Sequence, residues 1–152
     1  MKLMRVGQPG KERPAVAVDE NNYIDISDLV SDFDPDFFQN EKWFDIKAEV
    51  ANRIAAKDFL QVAGNRIGAP FVRPHQILCI GLNYADHAKE SGAEVPPEPI
   101  IFTKAPNTLI GPDDDVIIPK DSLKSDWEVE LGIVIGKRAK YLSCLLYTSD
   151  AA

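Results

Sequence analysis

The sequence predicts an α+β chain, with a small N-terminal α+β unit followed by a mixed, β-rich region. Three observations predict it. Between Lys2 and Ser27, short runs with alternating apolar positions are separated by Gly, Pro, Asp and Asn turns. Ile46, Val50 and Ile54 recur at the i, i+4, i+8 spacing of a helix. From Ser125 to Ile135, apolar residues alternate with Glu128 and Glu130 at the two-residue period of a strand.

In chain order, Lys2–Val6 reads as a strand, Gly7-Gln8-Pro9-Gly10 as a turn, Ala15–Val18 as a second strand and Tyr23–Ile26 as a third, together a β-meander. Asp34-Pro35 supplies a cap and a pre-set first helical residue, predicting a helical turn over Pro35–Gln39. The longer helix is predicted to start at the cap Asp45, and Gly64 closes the region. Residues 1–70 form this first unit and carry no catalytic constellation. Pro70 and Pro74 bracket an extended crossing. The continuous apolar run Gln76–Leu82 predicts a strand buried on both faces. Asn83 is the expected cap of a helix over Tyr84–Ser91, with Gly92 at its C′ position. Ile100–Thr103 predicts a strand with Lys104 at its end, and Pro106 opens a loop. Gly111–Asp115 is an acidic turn before the strand Val116–Ile118, and the Glu128/Glu130 strand follows. Residues 71–143 form a second region.

Composition narrows the function. A chain of 152 residues can bury about 70% of its unfolded surface and so build a real core. A net charge of −7 argues against nucleic acid and anionic membranes as partners. No apolar run is long enough to span a bilayer, and no export signal opens the chain, so a cytoplasmic location is expected. Cys79 and Cys144 lie in no metal or redox spacing, and Cys79 reads as a small core residue. With only His75 and His87, a zinc site of imidazole and thiolate is not expected.

Two pairs of residues could carry chemistry. Alternation puts Glu128 and Glu130 on one strand face, about 6.6 Å apart, with Trp127, Val129 and Leu131 on the other. Two such carboxylates near an apolar core call for a cation between them, and oxygen donors suit a hard divalent ion. A solvated strand face accounts for the same spacing. His87 and Glu90 share a helix face at i, i+3, so the carboxylate can fix the imidazole tautomer and leave the other nitrogen to take a proton from water. An exposed polar pair is the plain alternative. Lys104 is either a contact for a substrate carboxylate or a surface charge. Asp86 is expected to face solvent, and Asp113-Asp114-Asp115 reads as a solvated turn rather than a metal cluster.

Three motifs then occur in order: Ile80-Gly81-Leu82-Asn83-Tyr84-Ala85-Asp86-His87-Ala88-Lys89-Glu90, Pro99-Ile100-Ile101-Phe102-Thr103-Lys104, and the stretch from Asp126 to Arg138. Together they resemble the fumarylacetoacetate hydrolase family, strongly over residues 72–143. The first 70 residues are similar to the N-terminal domain of bacterial members, which include sugar-acid diketo hydrolases and proteins named ureidoglycolate lyase. The resemblance implies that residues 71–143 are the first, N-terminal part of a mixed β-rich, fumarylacetoacetate-hydrolase-like catalytic fold, and that the parent is a homodimer. The implied activity is cleavage of a carbon–carbon bond in a 2,4-dioxo, acylpyruvate-like acid, with Mg2+ or Mn2+ as cofactor. Glu128 and Glu130 match two of the family's three carboxylate ligands, His87 and Glu90 match its acid/base pair, and Lys104 matches a lysine near the site. Decarboxylation of the oxaloacetate type and keto–enol isomerisation use the same chemistry and are the rival enzymatic readings. A non-enzymatic fragment or binding module is the rival from another class. The third ligand, an aspartate on a later strand, and a further lysine do not occur here, so a truncated, inactive member with apolar strand faces left uncovered is expected. Residues 144–152 are similar to translated adapter or vector sequence and are expected to be a non-native tail.

Overall fold

A computed structural model describes residues 1–142, a mixture of helix and sheet. The expected non-native tail, 144–152, lies outside the described residues. The chain divides into two units, Met1–Val72 together with the chain from Gly111 onward, and Arg73–Ile110. No helix among the described residues is long and apolar enough to cross a membrane.

In the first unit β1 (Lys2–Val6), β2 (Arg13–Ala17), β3 (Asn22–Asp25) and β4 (Leu60–Gln61) form an antiparallel sheet in that order. The register pairs Met4 with Ala15 and Val16 with Ile24, so the expected meander is present. Its second strand starts two residues earlier than expected, and the two-residue β4 is an addition that the sequence pattern does not show. The β2–β3 turn is held by Asp19, whose Oδ1 accepts from the backbone N–H groups of Asn21 and Asn22, both at 2.8 Å. At Gly7, φ is +138° and a Cβ would meet the Lys11 carbonyl oxygen at 2.8 Å, so the β1–β2 turn requires glycine.

Two helices cover the sheet's apolar residues. α1 (Pro35–Gln39) starts as expected, with Asp34 accepting from the Phe37 N–H at 2.8 Å and Pro35 in the first turn. α2 (Trp43–Ala56) starts earlier than the expected Asp45 cap. Its N-cap is Lys42, which offers no side-chain cap bond, and Asp45 lies in the first turn, where a carboxylate favours the positive end of the helix. Ile46 and Val50 are buried, but Ile54 is 42% exposed, because the last turn runs past the edge of the core. The core joins Val16, Ile24 and Ile26 to Phe33, Phe37, Ile46 and Val50. Phe33 and Phe37 meet edge to face at 4.9 Å between ring centroids. Met4, Val6, Ala15 and Tyr23 make a smaller cluster.

The chain returns to this unit at Gly111. Arg66 Nε donates to Asp114 Oδ1 at 2.6 Å, and its Nη1 donates to Glu12 Oε1 and to the Gly7 carbonyl, both at 2.9 Å. The Gly111 N–H donates to Asp114 Oδ2 at 2.7 Å. Asp114 therefore serves as a structural latch within the acidic turn rather than as a solvated charge. Further on, Lys137 Nζ lies 2.7 Å from Glu41 Oε2, and Gly136 packs against Phe38.

Between these two anchors the structure departs from expectation. Neither Val116–Ile118 nor the stretch from 125 to 135 is a strand, because no described residue pairs with their backbones. Trp127, Val129 and Leu131, expected to pack against a core, are 79%, 78% and 79% exposed. A strand is defined by its ladder, and alternating side chains alone do not supply one. The expectation of uncovered apolar surface, by contrast, holds for Val116, Ile117, Ile133 and Ile135 as well.

The second unit is a two-stranded antiparallel ribbon, β5 (Ile77–Gly81) and β6 (Ile100–Lys104), with α3 (Ala85–Glu90) between them. β5 is not buried on both faces as its apolar run suggests: Leu78 is 62% exposed, and Ile80 is also exposed. Ile101 and Phe102 on β6 are exposed too.

Candidate active site

The ribbon's register fixes where the candidate residues start. Gly81 pairs with Ile100 and Ile77 pairs with Lys104. Lys104 thus ends β6 beside the start of β5, whereas α3 follows the other end of β5. Leu82, in the turn between β5 and α3, has φ of +49°, a left-handed conformation that costs a branched residue roughly 1–2 kcal/mol. Strain of that kind persists only where the surroundings hold it. A cavity of about 320 Å3 opens at this turn, lined by Gly81, Leu82, Asn83 and Ala85 on one side and by Pro96-Pro97-Glu98-Pro99 on the other.

α3 is one residue shorter at each end than expected. Its N-cap is Tyr84 rather than Asn83, with no side-chain cap bond, and Ser91 is the C-cap. Gly92 has φ of +67°, the left-handed C′ residue that the sequence predicts. Ala88 is the buried residue of the helix, and His87 and Glu90 are exposed. The two face residues are not joined: no side-chain hydrogen bond or ion pair links them among the described residues, and the His87 carbonyl accepts from the Ser91 N–H at 3.0 Å and Oγ at 2.9 Å. Asp86 is exposed, as expected. Cys79 is half-buried rather than a core residue, because the ribbon has no layer packed over it to enclose it.

Glu128 and Glu130 belong to the first unit, on the extended stretch between the Asp114 and Lys137 anchors, and both are exposed. Carboxylate oxygens are the donors that a hard divalent ion prefers, so the donor type fits magnesium or manganese. The number does not: among the described residues no three His, Cys, Asp or Glu side chains come together as a metal site. The pair supplies at most part of a coordination shell. The Arg66–Asp114 latch is the feature that reading the sequence misses, since nothing in the spacing of 48 positions links an arginine to an acidic turn.

Comparison with known proteins bears on these residues. A family model of the fumarylacetoacetate (FAA) hydrolase C-terminal domain matches residues 76–148, a stretch that contains His87, Glu90, Lys104, Glu128 and Glu130. The chain belongs to the fumarylacetoacetate hydrolase family. A Burkholderia multivorans protein with a provisional hydrolase name is 41% identical over 141 residues, covering 92% of this chain and 48% of that protein. The mitochondrial oxaloacetate tautomerase FAHD2A of Bos taurus is 53% identical over 74 residues, 49% of this chain and 24% of that one. A crystal structure of a Mycobacterium smegmatis protein provisionally assigned as HpcE superposes with a TM-score of 0.52 at 27% identity, over 79% of this chain and 41% of the other. This fumarylacetoacetate hydrolase family chain spans about half the length of the curated relatives it matches.

Proposed function

We propose that this chain is the metal-ligating and acid/base part of an enzyme that hydrolyses a carbon–carbon bond in a 2,4-dioxo acid. The observation that carries the proposal is that one family match encloses both residue pairs, His87–Glu90 and Glu128–Glu130. Glu128 and Glu130 would hold the cofactor, magnesium or manganese, as part of a ligand set that the described residues do not complete. When bound, the ion supplies positive charge opposite the oxygens of the keto acid.

The chain's own residues do the proton work. His87 takes a proton from water, and the hydroxide so formed adds to the carbonyl distal to the carboxylate. Glu90, three residues on along the same helix face, orients the imidazole and balances the charge it gains. The bond between the attacked carbon and its neighbour then breaks. One fragment leaves as a carboxylic acid, and the other, an enolate, regains a proton at carbon. Lys104 stabilises negative charge on the substrate.

Keto–enol isomerisation is the second reading, favoured by the 53% identity to a protein named an oxaloacetate tautomerase. It needs the same base and the same charge stabilisation without attack by water. The test uses a protein of the relatives' length that carries this segment. It is incubated with magnesium and acetylpyruvate, and separately with enol-oxaloacetate. Release of pyruvate and acetate supports hydrolysis. Loss of enol absorbance without cleavage products replaces it with isomerisation. No change in either assay overturns both. The 152-residue chain alone is expected to show no useful turnover.

A further inference from the structure

We propose that a second concavity, lined by Arg73, Pro74, His75, Pro106 and Asn107, is a binding site for a small carboxylate. It lies wholly within the Arg73–Ile110 unit and has a volume of about 440 Å3. Its polar lining residues are Arg73, His75 and Asn107, and no Asp or Glu among the described residues contributes. The guanidinium is a donor only, the imidazole offers an N–H in either tautomer, and the amide offers two more.

The state of Arg73 points the same way. Arg5, Arg13, Arg53 and Arg66 each reach at least one carboxylate of the protein. Arg73, like Arg138, has no such partner among the described residues, although acidic residues outnumber basic ones by 24 to 17. A planar guanidinium beside two further donors suits the two oxygens of a carboxylate. The walls are set by the backbone. Prolines fix φ on both sides of the cavity, and the turn at Pro106–Thr108 is closed by Thr108 Oγ1 donating to the Ala105 carbonyl at 2.7 Å. The pairing of Ile77 with Lys104 brings a further positive charge to this end of the ribbon. The cavity is lined by none of His87, Glu90, Lys104, Glu128 and Glu130, so a metal-free titration tests it apart from the proposed reaction.

The test is a titration of the isotope-labelled, metal-free 152-residue chain with oxalate at constant ionic strength, following the His75 ring and Arg73 side-chain NMR signals. Saturable shifts confined to these signals and to Asn107 are expected. Binding should weaken by about tenfold or more in Arg73→Ala, and less in Arg73→Lys, which keeps the charge but loses the planar fork. Arg73 is exposed and makes no side-chain hydrogen bond among the described residues, and unchanged β5 and β6 amide signals report that its unit is folded in each variant. A parallel titration with inorganic phosphate separates a carboxylate ligand from a phosphoryl one and is expected to give the weaker binding. Shifts that chloride reproduces, affinity unchanged in Arg73→Ala, or tighter binding of phosphate than of oxalate would each overturn the assignment.

Discussion

His87 is the residue on which the proposed chemistry depends most. It is exposed on a helix of six residues, and no hydrogen bond to its ring is made among the described residues. An imidazole held so loosely is no part of the scaffold, and in the proposed chemistry its role is that of a base. His87→Ala in a protein of the relatives' length should therefore lower turnover by roughly 100-fold or more and leave magnesium affinity nearly unchanged. Steady-state kinetics beside calorimetry checks both halves, and unchanged turnover removes His87 from the mechanism. Phe37 is the structural counterpart. It is buried among Phe33, Phe38 and Trp43, so Phe37→Ala should destabilise the chain by about 3–5 kcal/mol, measured by denaturant unfolding. Local chemistry makes some residues readable without a structure. Asp34-Pro35 caps α1 and Gly92 ends α3 because each role depends on the residue itself. Asp45 misleads for the opposite reason: a carboxylate suits both an N-cap and a first turn, and the tight Asn40–Lys42 connection decides between them.

Elements depend on partners, and there the sequence is legible only in part. The meander β1–β3 is readable because its turns are short and each strand pairs with its neighbour in the chain. The stretch 125–135 has the alternation of a strand but finds no ladder among the described residues, so its pattern and its structure part company. The Gly111–Asp114 turn is an element held from a distance. The Arg66 guanidinium, with the Gly111 N–H beside it, keeps the Asp114 carboxyl below its ordinary value. A carboxylate lowered on folding contributes stability that is fully present above about pH 4 and is lost as the pH falls through its folded value. Asp114→Asn should therefore lower the thermal midpoint at neutral pH, and the gap from the unsubstituted chain should shrink as acid protonates Asp114. A gap that stays constant down to about pH 2 would show that the latch does not depend on charge.

At the scale of the whole molecule, His87, Glu90 and Lys104 belong to one unit and Glu128 and Glu130 to the other. The family and the identity of the candidate residues are legible from three motifs, whereas the assembly of a site is not, because it rests on contacts beyond any one motif. Magnesium prefers about six oxygen ligands, and two carboxylates on an exposed, unpaired stretch offer too few of them and little preorganisation. The most direct test of the central claim is calorimetric titration of magnesium into this chain and into a protein of the relatives' length that carries it. The account predicts weak binding by the 152-residue chain and tight binding by the longer protein, with the tight binding lost in Glu128→Gln and in Glu130→Gln. Equal affinity in the two proteins, or tight binding that survives both substitutions, would contradict it.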